Sequence, residues 1–206
     1  MIDRRALITA LATAGAAPAF AQEGEATRFD ISPDVTREAL ALPATFRMGS
    51  RNGSITLVEF FDYNCPWCRR GAHDVDALVK GDSRLRLILV NYAILGVASV
   101  LAHKVALAVA MDSPEAYPTL HRELLGMRGV ADGDAAIAIV RKIGLDVESI
   151  AQTANSDVVT AALTASADFG ARNNLSATPS WLIGRSAYVG YLPSAQMKGA
   201  IAAARA

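Results

Sequence analysis

Ile55-Thr56-Leu57-Val58-Glu59-Phe60-Phe61, followed by Asp62-Tyr63-Asn64 and then Cys65-Pro66-Trp67-Cys68, is the stretch that decides the fold. Its first seven residues are apolar apart from Thr56 and Glu59 and rich in branched and aromatic side chains, the composition of a buried strand. Asp62-Tyr63-Asn64 reads as a short polar turn. From Cys65 the chain reads as a helix to about Lys80, with Pro66 at the first helical position, where a missing N–H costs nothing. Cys65 and Cys68 are the only cysteines among the 206 residues. A thiol at a helix N-terminus faces free amides and the positive end of the helix dipole, which favours its thiolate. A disulfide across so short a ring removes little chain entropy, so structural stabilisation is a poor reason for the pair. The pattern therefore points to redox-active thiols.

Outward from this stretch, Gly81-Asp82-Ser83 breaks the helix and Leu85–Tyr92 reads as a second main strand. Strand, helix, strand in this order implies a right-handed parallel crossover. Phe46–Asn52 is read as holding a short edge strand. From about 99 to 174 the apolar period turns helical, with helices expected near 100–112, 115–125, 132–143, 147–153 and 156–173. Pro179–Ile183 and Ala187–Tyr191, separated by Gly184-Arg185, form a hairpin signal, and a closing helix is expected over 194–204. The order βαβ, a helical block, then ββα predicts an α/β, thioredoxin-like fold with an all-helical domain inserted at about 97–175.

The N-terminus is of different material. Arg4 and Arg5 precede the apolar run Ala6–Ala17, and Ala19-Phe20-Ala21 fits a small-x-small cleavage site. Residues 1–21 thus read as a secretory signal cut before Gln22, and 22–45 as a polar N-terminal extension with a short helix about 34–42. The domain proper is expected over 46–206. Export would place the thiols in an oxidising compartment. Lys+Arg and Asp+Glu number 20 each, so no basic excess invites nucleic acid. The two cysteines and His73, His103 and His121 lack the Cys/His-rich second half of a structural zinc site, and Arg69 stands where haem attachment needs histidine. No metal is expected.

Three segments carry a resemblance: Val58-Glu59-Phe60-Phe61-Asp62-Tyr63-Asn64-Cys65-Pro66-Trp67-Cys68, Ala93-Ile94-Leu95-Gly96 and Ala177-Thr178-Pro179-Ser180-Trp181-Leu182-Ile183-Gly184. Together they resemble the DsbA family of exported thiol–disulfide oxidoreductases, in the branch that includes Com1-like and ScsC-like proteins, from about residue 45 to the C-terminus. The resemblance implies disulfide formation or exchange in secreted proteins, with Cys65 as nucleophile and Cys68 as resolving partner. It implies that Pro66 and Trp67 set thiolate stability, that the Thr178–Pro179 bond is cis, and that Thr178 offers its backbone to a client chain. It also implies that Glu59 is a buried acid relaying the proton of Cys68. By the residues alone, Glu59 could instead be a strand-edge glutamate reaching solvent.

The partners implied are unfolded or reduced exported proteins and a membrane redox partner, in the periplasm, with no cofactor besides the Cys65–Cys68 disulfide. Isomerase or reductase activity and a copper-binding thiol module remain open alternatives. Arg69 and Arg70 read either as positive potential near Cys65 or as a solvated helix face. Trp67 and Trp181 read as an apolar rim, with core equally open for Trp181, and His73 reads as a surface residue.

Overall fold

The strand read first from the sequence, Ile55–Phe61, lies inside a mixed sheet in the computed structural model, which describes residues 26–205. The expected signal segment lies outside the described residues. The strands are β1 (Thr27–Asp30), β2 (Thr45–Gly49), β3 (Ile55–Phe61), β4 (Leu85–Asn91), β5 (Ser180–Ile183) and β6 (Ser186–Val189). Among the described residues they form one sheet in the order β1-β6-β5-β3-β4-β2. Only β3 and β4 pair in parallel; the crossover between them is the helix that begins at the cysteines. A strand covered on both faces reads as a nearly continuous apolar run, which is why β3 was legible.

The two faces of β3 feed two cores. Leu57 and Phe61 join the cluster built with α2 (Pro66–Gly81), α3 (Val97–Asp112), α4 (Tyr117–Gly126) and α8 (Ser194–Ala203). Val58 and Phe60 turn to the opposite cluster, with Ala39 of α1 (Pro33–Leu40) and Phe169 of α7 (Asp157–Arg172). There the Phe60 and Phe169 rings stack at 5.4 Å and Phe60 meets Tyr92 edge-on at 5.7 Å. Helix α3 is apolar nearly all round and forms the centre of the helical block between β4 and β5. Its neighbours α5 (Gly133–Lys142), α6 (Val147–Ala154) and α7 start on side-chain caps from Asp132, Asp146 and Ser156.

Residues 26–45 do more than extend the domain. β1 is an edge strand, with Thr27 opposite Val189 and Asp30 opposite Ser186, and α1 covers the sheet with its buried Ala39. Thr27-Arg28-Phe29-Asp30 carries almost no apolar signal because an edge strand with a mostly exposed face needs little. The last strand ends earlier than its pattern suggests, at Val189. Gly190 then takes φ +110°, and Tyr191 leaves the sheet toward the cysteines.

Candidate active site

Cys65 caps α2 in extended geometry, φ −76° and ψ 118°, and Pro66 opens the helix as expected. The site lies at the carboxyl ends of the parallel pair β3 and β4, where the chain leaves β3 through Asp62-Tyr63-Asn64. Both cysteines are free thiols. The Cys65 thiol donates to the Thr178 carbonyl at 2.9 Å, and the Thr178–Pro179 peptide bond is cis. Sequence position implies an open sulfur at a helix end; here Cys65 is 3% exposed. The Thr178–Pro179 segment closes over it, a long-range packing that helix position does not foretell.

The two thiols are driven apart electrostatically. Cys65 is lowered to about 6, above all by the Cys68 thiol donating to it. Burial works against this, while the Thr178 hydroxyl and the Cys68 and Trp67 amides add donors. Cys68 is pushed well above the ordinary thiol range, first by burial and then by its bond to Cys65 and the charges of Cys65 and Glu59. The Asp62 amide, donating toward the Cys68 sulfur, offsets part of this rise. A nucleophile ionised near neutrality beside a partner that keeps its proton is the arrangement thiol–disulfide exchange needs.

Glu59 is buried, so the solvent-facing alternative fails. Burial, reinforced by the charges of Cys65 and Asp76, raises its carboxyl to about 8. It lines a cavity of about 260 Å³ together with Val75 and Asp76 of α2, Leu89 of β4 and His121 of α4. Trp181, opposite Glu59 in the β3–β5 register, is core at 2% exposure and not rim.

Trp67 is partly exposed and packs against Tyr191 with tilted rings at 5.4 Å, the Arg70 guanidinium lying 5.4 Å from the Trp67 ring and 5.0 Å from the Tyr191 ring. Arg69 is not a solvated residue: its Nε donates to the Tyr63 carbonyl at 2.7 Å and its Nη1 to the Gly129 carbonyl at 2.8 Å. His73 is on the surface.

The residues that sequence reasoning missed are in the polar turn. Asp62 is fully buried. Its Oδ1 accepts from the Asn64 amide at 2.8 Å and the Ser99 hydroxyl at 2.7 Å, and its Oδ2 from the Ile94 and Leu95 amides at 3.0 Å each. The Tyr63 amide donates to His103 Nε2 at 3.3 Å, which fixes His103 to donate from Nδ1 to Asn91 Oδ1 at 2.9 Å. His121 Nδ1 meets the Tyr63 hydroxyl at 3.2 Å. The available signal was the placement of three polar residues between a buried strand and a buried helix start.

A family model described as the DSBA-like thioredoxin domain matches residues 56–202. No curated protein matches the chain. Among solved structures, a thioredoxin-like oxidoreductase from Silicibacter pomeroyi is 33% identical, with a TM-score of 0.76, covering 82% of this chain and 96% of its own. A thiol–disulfide exchange protein, alpha-DsbA2 from Wolbachia pipientis, is 26% identical with a TM-score of 0.75, covering 82% of this chain and 91% of its own. The catalytic domain of Proteus mirabilis ScsC is 19% identical, with a TM-score of 0.74 over 83% of this chain and 94% of its own, and so shares the fold.

Proposed function

The chain belongs to the DSBA-like thioredoxin domain family of thiol–disulfide oxidoreductases, and from that premise we propose that it acts in the periplasm as a dithiol oxidase of exported, unfolded proteins. The observation that carries the reading is the opposed state of the two thiols, Cys65 lowered to about 6 and Cys68 held protonated. A stable Cys65 thiolate favours the reduced pair and so makes its disulfide a stronger oxidant.

The exchange runs in two displacements. A client thiolate attacks Cys65 Sγ of the Cys65–Cys68 disulfide; the client–Cys65 bond forms and Cys68 leaves with the electron pair. Glu59, protonated at neutral pH, gives its proton to the departing Cys68 sulfur and regains one from water in the cavity it lines. A second client thiolate then attacks the client sulfur of the mixed disulfide and expels Cys65 as thiolate. The client has lost two electrons and the pair has gained them; a membrane redox partner then removes them. Thr178 and Pro179 border the attacked sulfur and Thr178 offers its backbone to the client chain, while Pro66 and Trp67 flank the sulfur on the helix side. The three-part N-terminus, residues 1–21, supports export.

The test is stoichiometric. Oxidised protein mixed with a reduced, unfolded client should lose its Cys65–Cys68 disulfide as the client gains one. A client left fully reduced overturns the activity. Protein recovered from the periplasm should begin at Gln22; retention of the full chain in the cytoplasm overturns the location.

A further inference from the structure

The turn that presents Cys65 also holds two segments of the helical block, and both expose apolar side chains, the first of them beside the exposed Arg128. Asn64 Nδ2 donates to the Ala131 carbonyl at 2.8 Å, and its Oδ1 accepts from the Ala131 amide at 2.8 Å. The side chain thus imitates a strand partner for one residue, Ala131, of the 127–132 loop. The same Nδ2 also donates to Ser99 Oγ at 3.0 Å. Four residues along α2, Arg69 reaches the Gly129 carbonyl of that loop and the Tyr63 carbonyl of the turn. Val130, between the two held residues, is 60% exposed. The second segment is held by Asp62 through the Ile94 and Leu95 amides; its loop exposes Leu95 at 49%, and Val97, the first residue of α3, is 76% exposed.

Apolar side chains in water on two segments tethered to the turn that carries the reactive cysteine call for an occupant. The reaction supplies one: a polypeptide whose sulfur bonds to Cys65 must lay its flanking residues on the surface beside it. An unfolded client exposes apolar residues that match this rim. A small dithiol touches only the sulfurs.

Resting on the oxidoreductase reading, we propose that Asn64 and Arg69 are positioning residues for polypeptide clients: they strap the Val130 loop to the Cys65 turn and fix the apolar rim relative to the reacting sulfur. Neither strap touches a cysteine sulfur through its side chain in this structure. Their loss therefore shifts the rim against the sulfur and falls on reactions that use the rim.

The experiment compares two reductants of the oxidised protein, a reduced unfolded protein and dithiothreitol. In Asn64→Ala the ratio of kcat/KM for the unfolded protein to the rate constant for dithiothreitol should fall about tenfold, through KM more than kcat, the scale of effect expected when a bound group is displaced by a fraction of an ångström. Val130→Ser, on an exposed position that does not threaten the fold, should lower the same ratio. The double variant should lose less than the product of the two, because both act through one loop. Equal losses with both reductants, or an unchanged ratio in both variants, overturn the proposal. Failure of the wild-type protein to oxidise either reductant would instead overturn the oxidoreductase reading itself.

Discussion

The Cys65 thiol donates to the carbonyl oxygen of Thr178 at 2.9 Å, joining the start of α2 to the residue before Pro179. That bond belongs to the protonated thiol; a thiolate cannot donate. The Thr178 hydroxyl, buried and without a hydrogen-bond partner among the described residues, then becomes the donor that ionised Cys65 needs. Thr178→Val keeps the shape and removes the donor. It should raise the Cys65 titration midpoint by about one pH unit, the worth of roughly one hydrogen bond to a charged group. Ultraviolet thiolate absorbance follows this directly, and an unshifted midpoint would remove the role.

Glu59 makes the folded protein hold a proton that the unfolded chain releases. Its carboxyl titrates near 4.5 when unperturbed and at about 8 when folded. Between those values the folded state binds more protons, so this group lowers stability as pH rises. Glu59→Gln removes the penalty. The variant should melt above the wild type at pH 8, by a margin on the order of a few kcal/mol that closes toward pH 4.5. It should also slow the release of Cys68 from the disulfide. A pH-independent difference in Tm contradicts the assignment.

His103 and His121 run in the opposite direction. Burial holds them at about 4 and about 3, against an ordinary 6.5. On acidification below 6.5 the unfolded chain takes up protons that the folded protein refuses, and stability falls. These two groups outweigh the one Glu59 carboxyl between pH 4.5 and 6.5, whereas above 6.5 only Glu59 acts. Denaturation of the oxidised protein, in which Cys65 does not titrate, should therefore show greatest stability near about pH 6.5. His121→Gln should flatten the acid limb; an identical acid limb in that variant counts against the buried neutral imidazole.

Gly170 lies within α7, where alanine ordinarily helps a helix by about 1 kcal/mol. Here a Cβ would fall on the Tyr92 ring and hydroxyl, and that hydroxyl is committed to the Leu175 carbonyl at 2.8 Å. Gly170→Ala should thus destabilise, by about 1–3 kcal/mol in urea denaturation, as overpacking does. A stabilised variant would show that Tyr92 yields freely.

What the sequence disclosed and what it hid divide along physical lines. β3 and β4 were legible as nearly continuous apolar runs, α2 and the helical block by their helical spacing and apolar content, and Cys65 and Cys68 because their spacing and helix position carry chemistry. β1 was not, since a four-residue edge strand needs few apolar residues. Asp62 and Asn64 passed as an ordinary polar turn, because their worth lies in partners 30 or more residues away along the chain. Arg69 followed the same logic: helix periodicity assigns it a face but not the loop it reaches. The burial of Cys65 depends on the contact with Thr178, which no local pattern contains.

The most direct test of the account is the pH dependence of Cys65 alkylation in fully reduced protein, read site by site by peptide mass. The rate should rise with a midpoint of about 6, while Cys68 stays unlabelled throughout that range. A Cys65 midpoint at about 8.5, the value of an ordinary thiol, or equal labelling of the two cysteines, would contradict it.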